Sequence, residues 1–197
     1  YEPFIRKAAG LGAATDLRDT DRYEVRYADY DVLVIGSGPA GLAAALTAGR
    51  SGARVVLAEQ DTDLGGSLLS DSDQEHEAWR KACVEELSTL SEVTIRTRTT
   101  VQGLYDHNLA VLVENRSAAK PDAARGQSRM VLTQLRAKTI VMATGAIERP
   151  LVFSNNDRPG VMLASALKTY ANRFAVAPNK RAVIVTNNDT AYDTAMD

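Results

Sequence analysis

Six residues constrain this chain of 197 more than any others. Gly36-Ser37-Gly38-Pro39-Ala40-Gly41 is a G-x-G-x-x-G run placed directly after an apolar, strand-length segment, Asp31-Val-Leu-Val-Ile-Gly36. It runs directly into the alanine-rich stretch Pro39 to Arg50, which favours a helix. A second apolar segment, Gly52 to Glu59, completes a β-α-β unit. In such a unit the first glycine makes the tight turn, the second lets a pyrophosphate approach the backbone, and the third lets the helix pack close to the strand. The helix N-terminus adds unpaired N–H groups and a partial positive charge. Pro39 in its first turn loses nothing, because its missing N–H would have had no helical partner.

Glycine-rich turns also arise in unrelated loops, so the context of this one decides. Glu59 closes the second strand eighteen residues after Gly41. There an acidic side chain is placed to hold the hydroxyls of an adenosine ribose. The bland alternative is a solvated carboxylate at a strand end. A 2′-phosphate about 4 Å from this carboxylate would be repelled by roughly 4 kcal/mol at an effective dielectric of ~20. The following Gln60 and Asp61 supply no positive charge to offset it. NADP is therefore disfavoured, and NAD and FAD remain.

Further along, Asp71 to Ser88 reads as a helix with Trp79, Cys83 and Leu87 on one face and Asp71 or Ser72 as N-cap. Val93 to Thr97 reads as a third short strand. Thr99 to Tyr105, Leu109 to Asn115 and Met130 to Leu135 alternate in a strand-like way, which predicts an antiparallel meander over about 98–137. Arg116 to Ser128 reads as a mobile hairpin loop within it. Thr139 to Ala143 is a further buried strand, ending at Thr144-Gly145. Leu163 to Phe174 reads as a helix, Pro178-Asn179 as a break, Arg181 to Thr186 as a strand and Ala191 to Met196 as the start of a helix. The expected architecture is α/β, a truncated Rossmann-like parallel sheet with an antiparallel β-meander insert. Residues 1–30, with sparse apolar positions at Ile5, Leu11 and Leu17, would form an arm ahead of a dinucleotide-binding domain over 31–150. Residues 151–197 would open a second nucleotide-binding-like unit. It is expected to be degenerate, because Thr186-Asn-Asn-Asp-Thr-Ala191 carries side chains where glycines belong. The chain reads as a piece of a longer polypeptide, cut at both ends.

Composition narrows the partners. With 23 Lys+Arg against 25 Asp+Glu the net charge is −2, which disfavours nucleic acid and acidic membrane surfaces. No apolar run approaches the ~20 residues of a membrane span. Cys83, the only cysteine, excludes an internal disulfide and a cysteine-based zinc site, and it suits a reducing, cytoplasmic compartment. Its apolar helical spacing makes it a small core residue. His76 and His107 lack partners at metal-ligand spacing, so no metal site is expected. Glu148-Arg149 reads as a structural ion pair and Asp157-Arg158-Pro159-Gly160 as a turn. No nucleophile, acid or base constellation is present, and no residue is assigned a catalytic role.

Gly65-Gly66-Ser67 after the second strand and Ala143-Thr144-Gly145 after the meander complete a longer pattern. In that order these segments resemble the first domain of the two-dinucleotide-binding flavoproteins of glutathione-reductase and thioredoxin-reductase type. A closer resemblance lies in Ala143-Thr-Gly-Ala-Ile-Glu-Arg-Pro-Leu-Val-Phe-Ser-Asn-Asn-Asp-Arg-Pro-Gly-Val-Met162, with Tyr1 to Gly12 and Val185-Thr-Asn-Asn-Asp189. These stretches resemble an internal part of the alpha subunits of heterotetrameric sarcosine oxidases. Opine oxidase and hydrogen cyanide synthase subunits share the A-T-G-x-x-E-R-P stretch.

The resemblance implies a component of an enzyme that demethylates sarcosine oxidatively, with beta, gamma and delta subunits for partners. FAD would belong to the beta subunit, FMN to the alpha–beta interface, and NAD to this domain in the place where relatives hold FAD. By that analogy Gly36, Ser37, Gly38, Pro39, Ala40 and Gly41 would border the pyrophosphate. Glu59 and Gln60 would meet the adenosine ribose, and Gly66 and Ser67 would sit beside the phosphates. Val101 would meet the adenine, and Ala143, Thr144 and Gly145 would close the site. Asp61 stands where the family often has a basic residue, which removes one polar contact. Two rival expectations remain. One is an FAD-binding module of the opine oxidase or cyanide synthase kind. The other is an assembly scaffold that binds no nucleotide.

Overall fold

The structure is a computed structural model that describes residues 1–10, 18–19, 21–116, 128–177 and 181–196. The expected hairpin loop, apart from its ends Arg116 and Ser128, lies outside the described residues, as do Leu11, Leu17 and Pro178-Asn179. A short helix, α1 (Glu2–Ala8), precedes the first strand, β1 (Tyr23–Ile35). The β-α-β unit follows as predicted, through α2 (Pro39–Arg50) to β2 (Val55–Ala58). Then come α3 (Gln74–Thr89) and β3 (Val93–Arg96). The chain continues through β4 (Thr99–Tyr105), β5 (Leu109–Asn115) and β6 (Met130–Met142).

All six strands form one sheet, ordered β3-β2-β1-β6-β5-β4. β1 pairs in parallel with β2, from Val32↔Val55 to Ile35↔Ala58, and with β6, from Tyr23↔Met130 to Ile35↔Met142. β3 adds in parallel to β2, whereas β5 and β4 add antiparallel beyond β6. The parallel core and the antiparallel meander are both as expected, but they are not separable units. Their shared strand, β6, reads as two segments in the sequence because Arg136 and Lys138 interrupt its apolar run. Alternation nevertheless persists: Ala137 between them is buried, and Lys138 reaches across to Asp31 at 2.8 Å.

Successive residues of the central strands feed two cores on opposite faces of the sheet. Val34, Val55 and Leu57 pack under Leu42, Ala45 and Leu46 of α2 and Cys83 and Leu87 of α3. Leu33, Ile35, Val56 and Ala58 pack with Ala110 and Leu112 of β5 and Leu135 and Ala137 of β6. The antiparallel half thus covers the second face of the parallel half. β2, buried along its whole length, is accordingly apolar without alternation. Each fully buried leucine of these cores contributes about 1.5–3 kcal/mol.

Three expectations are corrected. Residues 23–30 are not linker; they are the first half of β1. Tyr23, Val25 and Tyr27 have strand propensity, but Glu24 and Arg26, ion-paired at 2.6 Å, mask it in the sequence. The N-cap of α3 is Asp73, whose carboxylate accepts from the Glu75 amide at 2.7 Å, so the cap is neither Asp71 nor Ser72. Arg181 to Thr186 is not a strand. It has no ladder partner among the described residues, and Val183 is 91% exposed. Residues 164–173 are helical as expected, as α4 (Ala164–Lys168) continued by a π turn over Thr169–Arg173. A 3-10 turn at Asp189–Ala191 leads into α5 (Tyr192–Met196).

Candidate functional site

Three turns meet at the carboxyl ends of β1, β2 and β6, where β1 lies between the two parallel neighbours β2 and β6. That is the position at which open α/β sheets bind ligands. Gly36 turns with φ +93°, and a Cβ there would lie 2.4 Å from the carbonyl oxygen of Ala143. A Cβ on Gly41 would lie 1.9 Å from the Gly36 carbonyl oxygen and 3.4 Å from the Ala143 Cβ. The Ala143 amide donates to Ile35 at 2.9 Å, which fixes Ala143 and Thr144 against Gly36. Gly36 and Gly41 are therefore required by the protein's own packing.

Gly38 is different. A Cβ there would meet no atom within 4 Å, and its backbone conformation is open to any residue. Across from it, a Cβ on Gly66 would come within 2.9 Å of the Gly38 Cα, so the Gly65-Gly66 turn lies directly beside the glycine loop. Gly38 is the N-cap of α2 and no side chain caps the helix, so the amides of its first turn lack a protein side-chain acceptor. Pro39 and Ala40 are exposed on that turn. This is a cradle of backbone donors suited to an anion.

Glu59 forms the other wall. It is 7% exposed. Its Oε2 accepts from the Ser37 amide at 2.8 Å and from the Ser37 hydroxyl at 2.6 Å, and its Oε1 accepts from the Asp61 amide at 2.9 Å. The Ser37 Oγ also accepts from the Gly65 amide at 3.2 Å. One buried carboxylate thus ties the glycine loop, the end of β2 and the Gly-Gly turn together. Each carboxylate oxygen has two acceptor sites, so Oε1 keeps one for a further donor such as a ribose hydroxyl.

The turn between β3 and β4 is fastened to the same place. The Thr99 amide donates to the Glu59 carbonyl at 2.8 Å and the Arg98 amide to the Asp61 carbonyl at 2.9 Å. Val101, two residues on, packs against the core that contains Ile35 and Ala58. The structure thus brings Gly36, Ser37, Gly38, Gly41, Glu59, Asp61, Gly66, Ala143 and Thr144 together, with Val101 tied in through Thr99. Gln60, Ser67 and Gly145 are exposed beside them.

Three residues outside the predicted set belong to this arrangement. Gly65, with φ +141°, carries the amide that meets Ser37. Arg80 holds the Gly-Gly turn through the Leu64 carbonyl at 2.9 Å, and its hydrogen bonds to Glu77 pull that carboxyl down to about 2. Arg173 binds Asp61 at 2.6 Å and Asp63 at 3.2 Å. Gly65 was legible as the first of a glycine pair. Arg173 had no local signal, because it lies 112 residues from Asp61.

The remaining expectations divide. Glu148 does not pair with Arg149; its carboxylate accepts from the Ala164 and Ser165 amides at 3.3 and 2.9 Å and caps α4. The turn at 157–160 is observed, closed by the Val161 amide on Arg158. Cys83 is buried, and desolvation pushes its thiol pKa up. His76 faces Asp71 at 2.8 Å, and among the described residues no group of three or more potential metal ligands occurs.

Comparison with known proteins gives the same direction. Over its whole length the chain is 47% identical to part of the alpha subunit of a sarcosine oxidase from Rhizobium meliloti (strain 1021), and it spans 20% of that protein. It is 32% identical, over 89% of its length, to 34% of an opine oxidase subunit from Agrobacterium tumefaciens (strain Ach5). Among solved structures it resembles an L-proline dehydrogenase from P. horikoshii, with TM-score 0.61 and 30% identity over 79% of this chain and 30% of the other. Residues 30–196 match the family model described as pyridine nucleotide-disulphide oxidoreductase. With its glycine loop, Glu59 and mixed sheet in that arrangement, the chain belongs to the pyridine nucleotide-disulphide oxidoreductase family.

Proposed function

We propose that this chain is the NAD-binding part of a sarcosine oxidase alpha subunit, contributing to the oxidative demethylation of sarcosine in a multi-subunit flavoenzyme. The observation that carries the binding function is the pairing of an open Gly38 with a buried Glu59 across one loop. The glycine leaves room at a helix N-terminus for a pyrophosphate, and the carboxylate keeps one acceptor site for a ribose. The residues that would hold the dinucleotide are Gly36 to Gly41, Glu59, Gln60, Asp61, Gly66, Ser67, Val101 and Ala143 to Gly145. The 47% identity of the whole of this chain to one fifth of a sarcosine oxidase alpha subunit supports the choice of parent enzyme. FMN, a second flavin and the beta, gamma and delta subunits would complete it.

The single cysteine is in keeping with a cytoplasmic setting, and no helix among the described residues is long and apolar enough to cross a membrane. A visible spectrum of the purified chain, followed by calorimetric titration with NAD, NADP and FAD, tests the proposal. Stoichiometric NAD binding by a colourless protein is expected. A yellow protein carrying one flavin per chain would replace NAD with FAD here, and binding of none of the three would leave an assembly role. Sarcosine turnover by this chain alone would contradict the proposed division of labour among subunits.

A further inference from the structure

The ribose end of the cradle carries a positive charge that the local sequence does not contain. Arg173 closes the π turn after α4 and is brought there by a second line of contacts. Thr169 meets Ser70 at 3.1 Å, Asn172 donates to the Ser70 carbonyl at 3.0 Å, and Lys168 faces Asp71 at 3.8 Å. These dock the helical segment onto the loop that follows β2. The Arg173 guanidinium lies over its neighbour Phe174, 5.4 Å from the ring centroid, with its side chain 22% exposed. It reaches Asp61, whose own amide is bonded to the Glu59 carboxylate. An arginine thus stands one residue from the group proposed to hold the ribose, with both of its arms engaged by carboxylates.

That placement has a consequence for the 2′ position. An arginine near the ribose is what accommodates a 2′-phosphate in dinucleotide sites of this kind, through a bidentate, charge-assisted contact. Here Asp61 and Asp63 occupy the guanidinium. The two acids outnumber the arginine they hold, and the buried Glu59 carboxylate, bonded to the Asp61 amide, adds negative charge on the same side. The nearby Arg80 does not alter this balance, because Glu77 holds it at 2.6 and 2.7 Å. We infer that the Asp61/Asp63–Arg173 cluster is a specificity-determining element, in which a 2′-phosphate receptor is present but masked by two acids. The inference rests on the dinucleotide function proposed above.

Two nucleotides that share an adenosine end and differ at the 2′ position test it in the full chain without requiring NAD. The probes are adenosine 2′,5′-bisphosphate and adenosine 5′-monophosphate, titrated by calorimetry at low ionic strength. Neutralising both acids, as Asp61→Asn with Asp63→Asn, is expected to raise the preference for the bisphosphate at least tenfold. Adding Arg173→Ala is expected to cancel that gain, and raising the salt concentration to erode it. The single Asp61→Asn and Asp63→Asn variants, each expected to give part of the gain, cover the case in which the double variant does not fold. An unchanged preference, or a gain that survives Arg173→Ala, would overturn the inference. NAD binding by the unaltered chain judges the proposed function separately. A chain that ignores NAD yet shows the Arg173-dependent gain would lose its proposed cofactor and keep this element.

Discussion

At the scale of single residues, the three glycines of the loop do different work, and substitution separates them. Gly41 has a carbonyl oxygen 1.9 Å from where a Cβ would stand. Gly41→Ala must push α2 off β1, and overpacking of this kind costs about 1–3 kcal/mol or more. A lowered melting temperature is expected, with binding lost as a consequence. Gly38→Ala meets no protein atom within 4 Å, so it should lower stability only by the roughly 0.5–1 kcal/mol of a poorer N-cap, less than Gly41→Ala. It places a methyl group where the pyrophosphate would lie, so dinucleotide affinity is expected to fall at least tenfold in calorimetry. Comparable losses of stability in both variants would mean that Gly38 is structural and that the cradle is not a binding surface. Glu59 combines the two roles. Glu59→Gln turns a three-way acceptor into a group with an amide that faces Ser37 donors, so a loss of both stability and affinity is expected.

At the scale of elements, the caps and loop pairs set the pH response. His76 is raised in pKa by its hydrogen bond to Asp71 and the nearby Asp73. A histidine stabilised in its charged form contributes fully below its ordinary value of about 6.5, and the contribution is lost as pH rises through the raised value. Proton NMR of the His76 ring should therefore show a midpoint above that value, and Asp71→Asn should bring it back down. Glu148 behaves in the opposite sense. Its bonds to Ser165 and Ala164 hold its pKa down, so the cap on α4 is present above the usual glutamate range and fails as pH falls through the lowered value. Glu148→Ala is expected to cost about 1 kcal/mol, typical of a lost N-cap, and to raise amide exchange at Ala164 and Ser165. These examples also show what the sequence could convey. Local chemistry was legible: the glycine turn, the acid ending β2, the Gly-Gly pair and the helix over Gln74–Thr89 all follow from neighbours within a turn or two. The role of Glu148 is not legible locally, because its partners, Ala164 and Ser165, are sixteen and seventeen residues away. Arg173 could not be assigned for the same reason, and the strand expected at 181–186 had propensity without a neighbour to pair with.

At the scale of the whole molecule, the decisive feature is that β6 serves two partners at once. Its residues pair in parallel with β1 along their full length and antiparallel with β5 from Met130 to Arg136. The sequence suggested a meander inserted into an α/β domain, which would allow the insert to melt separately. The second core argues otherwise, because Leu112 and Leu135 from the antiparallel half share it with Leu33 and Val56 from the parallel half. Leu135 is fully buried, as is Leu57 on the α2 side of the sheet. Truncating either to alanine is expected to cost about 2–5 kcal/mol. If the sheet is one cooperative unit, Leu135→Ala and Leu57→Ala will each shift a single unfolding transition. Near-UV circular dichroism and the fluorescence of Trp79 on α3 will then report the same midpoint in either variant. An independent meander would give a different result. Leu135→Ala would split the transition, with amides of β4 and β5 exchanging at a denaturant concentration where Trp79 is still in its native environment. Coincident midpoints carry the argument back to the site. Val101 and Thr99 stand on β4, while Glu59 and Gly36 stand at the ends of β2 and β1, so the ribose and pyrophosphate walls keep their relative positions only if both halves of the sheet hold together. A destabilised meander should therefore weaken dinucleotide binding even though Leu135 is a residue of the second core and makes no part of the glycine cradle.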